Sequence, residues 1–149
     1  MDNLTFLIAL IAIGYIFGTL AEKRHYRSIE KREKALLHLP AISAKSVDVD
    51  DNKVKKAEIV CGSAVISVDY FKRMLAGLRN IFGGTVKSYE SLIDRARREA
   101  LLRMKAAAPD AAIIINVRIE TSTIGRNAHK KSVACLEAVA YGTALFLED

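Results

Sequence analysis

The chain has no tryptophan, two prolines and two cysteines in 149 residues. Two lone thiols, Cys61 and Cys135, exclude a disulfide framework, and each sits in an apolar, strand-like run where a reduced cysteine fills core space as a small hydrophobe. Among Cys61, Cys135, His25, His38 and His129 there is no CxxC, HxxxH or CxxH spacing, so the sequence holds no local metal motif. A Ser-His-Asp arrangement, a P-loop and a GxGxxG are also missing, and Asp94, Glu99 and Glu120 are flanked by arginines as ordinary ion-pair partners. The expectation is a protein that is not an enzyme and takes no cofactor. Helix–turn–helix, RNP and zinc-finger patterns are absent too, so the net charge of +6 does not indicate a nucleic-acid partner.

Charge is lacking altogether from Leu4 to Ala21. Eighteen helical residues rise roughly 27 Å, about the thickness of a bilayer core, which predicts one transmembrane helix over residues 1–21. Gly14 and Gly18 form a GxxxG that would let neighbouring spans pack closely. The flank that follows is basic: Lys23, Arg24, Arg27, Lys31, Arg32 and Lys34 suit anionic head groups. By the positive-inside rule the N-terminus faces out and the rest lies in the cytoplasm, on the inner membrane, with membrane lipids as partners. A cleaved signal peptide is the rival reading. Its basic n-region is missing, since the chain starts Met1-Asp2-Asn3, although Thr19-Leu20-Ala21 passes as a weak cleavage site.

Residues 22–46 read as a basic juxtamembrane helix and linker. The helix is a polar stalk reaching about Leu39, supported by the Glu30–Lys34 pair and ended by Pro40. The domain occupies residues 47–149. A short strand at Val47–Val49 precedes a strand from Glu58 to Val68, whose two faces are both apolar (Ile59, Cys61 and Val65 against Val60, Ala64 and Ile66) and therefore both need cover. Phe71, Met74, Leu75, Leu78 and Phe82 mark one face of a helix that Gly83-Gly84 stops. A second helix spans Tyr89 to Ala107. Its apolar stripe runs through Leu92, Ile93, Ala96, Ala100, Leu101 and Met104, with Arg95, Arg98, Glu99 and Arg103 opposite. Beyond the Pro109-Asp110 break, two strands form a hairpin around Gly125–Lys131, and Gly142 marks a bulge or a close backbone approach. The fold class is α+β: an antiparallel sheet covered by helices.

Three stretches together resemble the YbjQ-like family, customarily labelled a heavy-metal-binding domain. They are Asn80-Ile81-Phe82-Gly83-Gly84, the helix with Tyr89 near its start and Ala96-Arg97-Arg98-Glu99-Ala100 in its middle, and the closing Ala140-Tyr141-Gly142-Thr143-Ala144. The resemblance implies a dodecin-like β-α-β-β subunit and a ring-shaped homo-oligomer, typically a pentamer joined by short added strands. It implies no catalysis, and the family's metal label is itself a conjecture. One corner departs from the family pattern, Ala108-Pro109-Asp110-Ala111. The expected function is a membrane-anchored, homo-oligomeric binding or scaffold module. A metal-binding or thiol-based sensor using Cys61 and Cys135 is the alternative, and a flavin-like ligand between subunits is a third reading by analogy of fold.

Overall fold

A computed structural model describes residues 2–48, 53–67, 87–124 and 135–148. In chain order these hold helix α1 (Asp2–Ala35), strand β1 (Val54–Ser67), helix α2 (Lys87–Ala106), and strands β2 (Ile113–Ile124) and β3 (Cys135–Leu147). The helix expected over Tyr70–Phe82, its Gly83-Gly84 stop, the hairpin loop and His129 lie outside the described residues.

The three strands form one antiparallel sheet in the order β1-β3-β2. Helix α2 crosses one face of it, as the spacing of its apolar residues predicts: Leu92, Ala96, Ala100 and Met104 are all buried there. The contact is close because the facing residues are small. Ala64, Ala138, Ala140 and Ala144 line the sheet, and Gly62 lies directly under the helix. A Cβ at Gly62 would overlap the Met104 backbone nitrogen and the Ala100 carbonyl oxygen, so only glycine fits. Pro109 breaks α2 as expected, and Ala108 and Ala111 bury their methyls on either side of the turn.

Gly142 is the close approach that its position suggested. Beside it β2 is irregular between Ile115 and Arg118, where Asn116 adopts φ 53°, and a Cβ on Gly142 would stand 2.9 Å from Ile114 Cγ2. That irregularity turns backbone groups outward to a short partner that sequence reading took as linker. Ile114 N–H donates to the Pro40 carbonyl (2.9 Å), Ile42 N–H to Ile114 (2.9 Å) and Asn116 N–H to Ala44 (2.7 Å). Ala41 and Ile114 form a parallel bridge, and Leu39 is wholly buried. The packed unit thus begins before Val47. Val47 and Asp48 are not in a strand, and Val49 lies outside the described residues.

The N-terminal segment requires the largest correction. The uncharged run is the front of one continuous helix, α1, whose back half carries the basic residues. That back half is no free stalk: Ile29 is fully buried and Tyr26 and Arg32 are half-buried against the domain. Among the described residues no helix is long and apolar enough to cross a membrane. The transmembrane helix over residues 1–21 and the inner-membrane address are therefore overturned. Phe6, Ile8, Ile13, Tyr15, Ile16, Phe17 and Leu20 remain exposed along the front half.

The two cysteines also differ from expectation. Alternation along β1 buries Val60, Gly62 and Ala64 under α2 and turns Ile59, Cys61, Ser63 and Val65 to the open face. Cys61 is consequently exposed, and Cys135 is half-buried.

Candidate functional site

The face of α2 opposite the sheet, whose carboxylates the sequence marks as ordinary ion-pair partners, is where the chain concentrates its charge chemistry. Helix α1 lies along it in parallel, since partner numbers rise together on both helices. Tyr26 donates to the Ser91 carbonyl at 3.1 Å, Glu33 is gripped by Arg98 through Nε at 2.7 Å and Nη2 at 2.6 Å, and Lys105 Nζ reaches the Leu36 carbonyl at 3.3 Å. At the centre Glu99, the one buried charged residue among the described ones, is held from two sides. Arg32 on α1 grips both its oxygens, Nη1 to Oε1 at 3.0 Å and Nη2 to Oε2, and Arg103 one turn along α2 donates to Oε1 at 3.1 Å.

These contacts set the proton affinities. The Arg32 hydrogen bonds, aided by Arg103, hold the Glu99 carboxyl below its ordinary pKa against the opposing effect of burial. Arg98 does the same for Glu33. Burial, with Arg95 close by, lowers the pKa of His25 despite the opposing pull of Glu99 at 4.0 Å.

Two clefts flank this seam. One, of about 410 Å³, has Ile93, Leu101 and Ile119 as its apolar part and Glu90, Asp94, Arg97 and Arg98 as its charged part. The other, of about 320 Å³, lies between α1, α2 and the end of β1 and is lined by Gly18, Ala21, Glu22, His25, Leu92 and Arg95 with Ser67. Arg95 and Tyr26 were not singled out as site residues in the sequence. The usable signal was complementarity: Glu22, Arg32 and Glu33 before the domain answer Arg95, Glu99 and Arg98 within it.

The residues that the sequence did single out are scattered. Of the six basic residues after the uncharged run, Arg32 pairs with Glu99, while Lys23, Arg24, Arg27, Lys31 and Lys34 are exposed. Gly14 and Gly18 are on the front half of α1, and Gly18 reaches the second cleft. His38 is exposed at the helix end with Nδ1 3.0 Å from the Ala35 carbonyl. Cys61 pairs in register with Tyr141 and Cys135 with Ser67, so the thiols are on adjacent strands but six residues apart, roughly 20 Å. Within one subunit they do not form a site.

An antiparallel three-stranded sheet with a close-packed helix on one face and a charged helix laid over that helix defines an α+β domain with an added N-terminal element. A family model described as putative heavy-metal-binding matches residues 42–148, and the chain belongs to this YbjQ-like, UPF0145 family. It is 41% identical over 99 residues to a UPF0145 protein of Hahella chejuensis, covering 65% of this chain and 88% of that one. A UPF0145 protein of Dehalococcoides mccartyi is 39% identical over 104 residues, covering 68% and 93%. A solved structure of a protein of unknown function from Pediococcus pentosaceus, assigned to the DUF74 family, superposes with a TM-score of 0.42 at 13% identity, covering 74% of this chain and 98% of that one. Nearly the whole length of the first two relatives is matched by about two-thirds of this chain, and the family match begins at residue 42, after α1.

The family description raises a metal. Among the described residues no three of His, Cys, Asp and Glu come together as a ligand set. A soft cation needs several such donors converging. The described residues of one subunit do not fit one.

Proposed function

We propose that the chain is a non-catalytic, self-associating binding or scaffold module whose subunits join through the open face and free edge of the sheet. The observation that carries this reading is the bare apolar patch beside β1. Ile59 is 85% exposed, Val65 56% and Tyr141 39%, and Cys61 lies between them on the same face. Toward β2 the same face turns polar, with Glu120 and Ser122 in register with Val139 and Glu137. The patch thus hugs one edge of the sheet. Among the described residues β1 is an edge strand with no further strand beside it, whereas the β2 edge is taken by the segment around Ala41. A ring requires this edge and patch to meet a different surface of the next subunit, a heterologous contact repeated until the rotation closes. The family resemblance supplies the number, five.

Light scattering on the full chain tests this. The expected mass is a multiple of the 16.4 kDa subunit, falling to one subunit in an Ile59→Lys, Val65→Lys double variant. Both side chains are already exposed, so the substitutions should leave the subunit folded. A monomeric wild type, or a variant of unchanged mass, would refute the assignment.

A further inference from the structure

The second cleft contains an arginine whose charge is poorly answered. The Arg95 side chain is 14% exposed, yet the groups around it are distant: Glu22 Oε1 stands 3.9 Å from Nη1, beyond hydrogen-bond range, and the Tyr26 ring centre is 6.0 Å away. Its Nε is buried without a hydrogen-bond partner. Across the cleft, His25 has the same defect at Nδ1. Buried donors left unpaired are costly, and a buried guanidinium more so than a neutral group. Arg95 Nε is always a donor, and His25 Nδ1 is one when the ring is protonated or carries its proton there, so an anion with two oxygens satisfies both together.

We propose that this cleft binds a small oxyanion, a carboxylate or phosphate group, held between Arg95 and His25 with Ser67 at its mouth. Beside the apolar wall of Gly18, Ala21 and Leu92 the cleft has about 320 Å³, which admits a small acid or a phosphate. Glu22 stays at the Nη1 end of Arg95, so the anion takes the Nε edge. The local field favours it, because the charges that act on His25 are three arginines, Arg95, Arg32 and Arg103, against one carboxylate, Glu99. Bound negative charge stabilises the imidazolium, so binding shifts the His25 titration to higher pH. The site depends on α1 being docked, because His25 and Glu22 belong to it, and α1 precedes the family match at residue 42. Anion binding is thereby a property of this chain's added helix.

The test is a titration of the full chain, in buffer free of oxyanions, with inorganic phosphate in one arm and sodium acetate in the other, read by NMR of the histidine rings. The expected result is a saturable change at His25 in at least one arm, with its titration moved to higher pH and exposed His38 unmoved. Response to acetate alone assigns a carboxylate, to phosphate alone a phosphate, and to both a general oxyanion site. Arg95→Gln should weaken binding about tenfold or more, the loss expected from one charged hydrogen bond. If that variant does not fold, Arg95→Lys keeps the charge, lacks the Nε donor and should also bind more weakly. No saturable change at His25 in either arm, an equal change at His38, or undiminished binding in the folded Arg95 variant would overturn the proposal.

Discussion

Helix α2 is held on its two sides by opposite physics. Toward the sheet it meets Gly62, Ala64, Ala138 and Ala140, residues with almost no side chain, and backbone comes close to backbone. Toward α1 it meets Arg32, Glu33 and Tyr26, long side chains that reach across to Glu99, Arg98 and Ser91. The first contact rests on shape and apolar burial, which neither salt nor pH touches directly. The second rests on paired charges at the protein's edge, which salt screens and acid neutralises. The residues that the family match covers include the first contact entirely and only one partner of each pair in the second. The two sides should therefore fail under different insults, with α1 coming away while the sheet and α2 stay folded.

The largest effect is expected on the sheet side. In Gly62→Ala the added methyl would strike the Met104 nitrogen and the Ala100 oxygen, and would lie 2.8 Å from the Arg103 carbonyl carbon. All three are helix backbone and cannot rotate away. A loss of about 3 kcal/mol or more is expected, the upper range of overpacking, with global unfolding at lower denaturant. An unchanged midpoint in chemical denaturation would show the contact to be looser than described.

On the other side, Glu99→Gln removes the charge that Arg32 and Arg103 share. The expected cost is about 1–3 kcal/mol, as for a charged hydrogen bond on a partly buried group. It should be confined to α1: amide exchange should quicken over residues 22–35 and stay slow over residues 92–104. Acid should imitate the variant. The carboxyls of Glu99 and Glu33 have pKa values below the ordinary Glu value of about 4.3, so their stabilisation is complete above that pH and is lost as the pH falls through their folded-state values. Uniform loss of protection in α2 at the same acid pH would break the comparison.

The difference between the two sides also explains what could be read in the sequence. The sheet side was legible because apolar period is local: Leu92, Ala96, Ala100 and Met104 mark the face of α2 without knowledge of what covers it. The succession of elements along the chain was legible in the same way, and Gly142, a glycine inside a strand pattern, marked a bulge or close approach. The α1 side was not legible, because a charged helix face looks alike whether water or another charged helix lies on it. Glu33 and Arg98 are 65 residues apart, and no periodicity connects them. The same blindness made the run from Leu4 to Ala21 look like an independent span, when it is the front of a helix whose back half is docked. Exposure of Cys61 was missed for a related reason. Alternation told which residues share a face of β1, but both faces were apolar and only one is covered within the subunit.

A smaller loss is expected from Glu33→Gln. Its pair with Arg98 is well aligned, but the side chains are 37% and 28% exposed, so water already screens them. About 1 kcal/mol or less is expected from a pair in that setting. The comparison is sharpened by a double-mutant cycle with Arg98→Gln. Asp94, which lies 3.5 Å from Arg98 Nη1, remains in both backgrounds. A coupling energy as large as the Glu99 effect would mean that exposure is a poor guide to strength along this seam.

The least effect, and the most specific to α1, is expected at mildly acid pH. His25 faces Arg95, Glu99, Arg32 and Arg103, with Glu22 on the same cleft, and burial and the arginines together keep its pKa below the ordinary value of about 6.5. The unfolded chain, or one with α1 released, takes up a proton near pH 6.5, while docked His25 takes it up only at lower pH. Docking is therefore strongest above that value and weakens as the pH falls below it, until docked His25 protonates too. The carboxylate pairs are still ionised in this window, so they contribute nothing to a change there. His25→Gln, which cannot titrate, should abolish the pH dependence of α1 amide exchange between about pH 7.5 and 5.5 while leaving the acid limb from Glu99 and Glu33 in place. If the dependence persists in that variant, the mildly acid response belongs to another group, and the lowered pKa of His25 does not govern how tightly α1 is held.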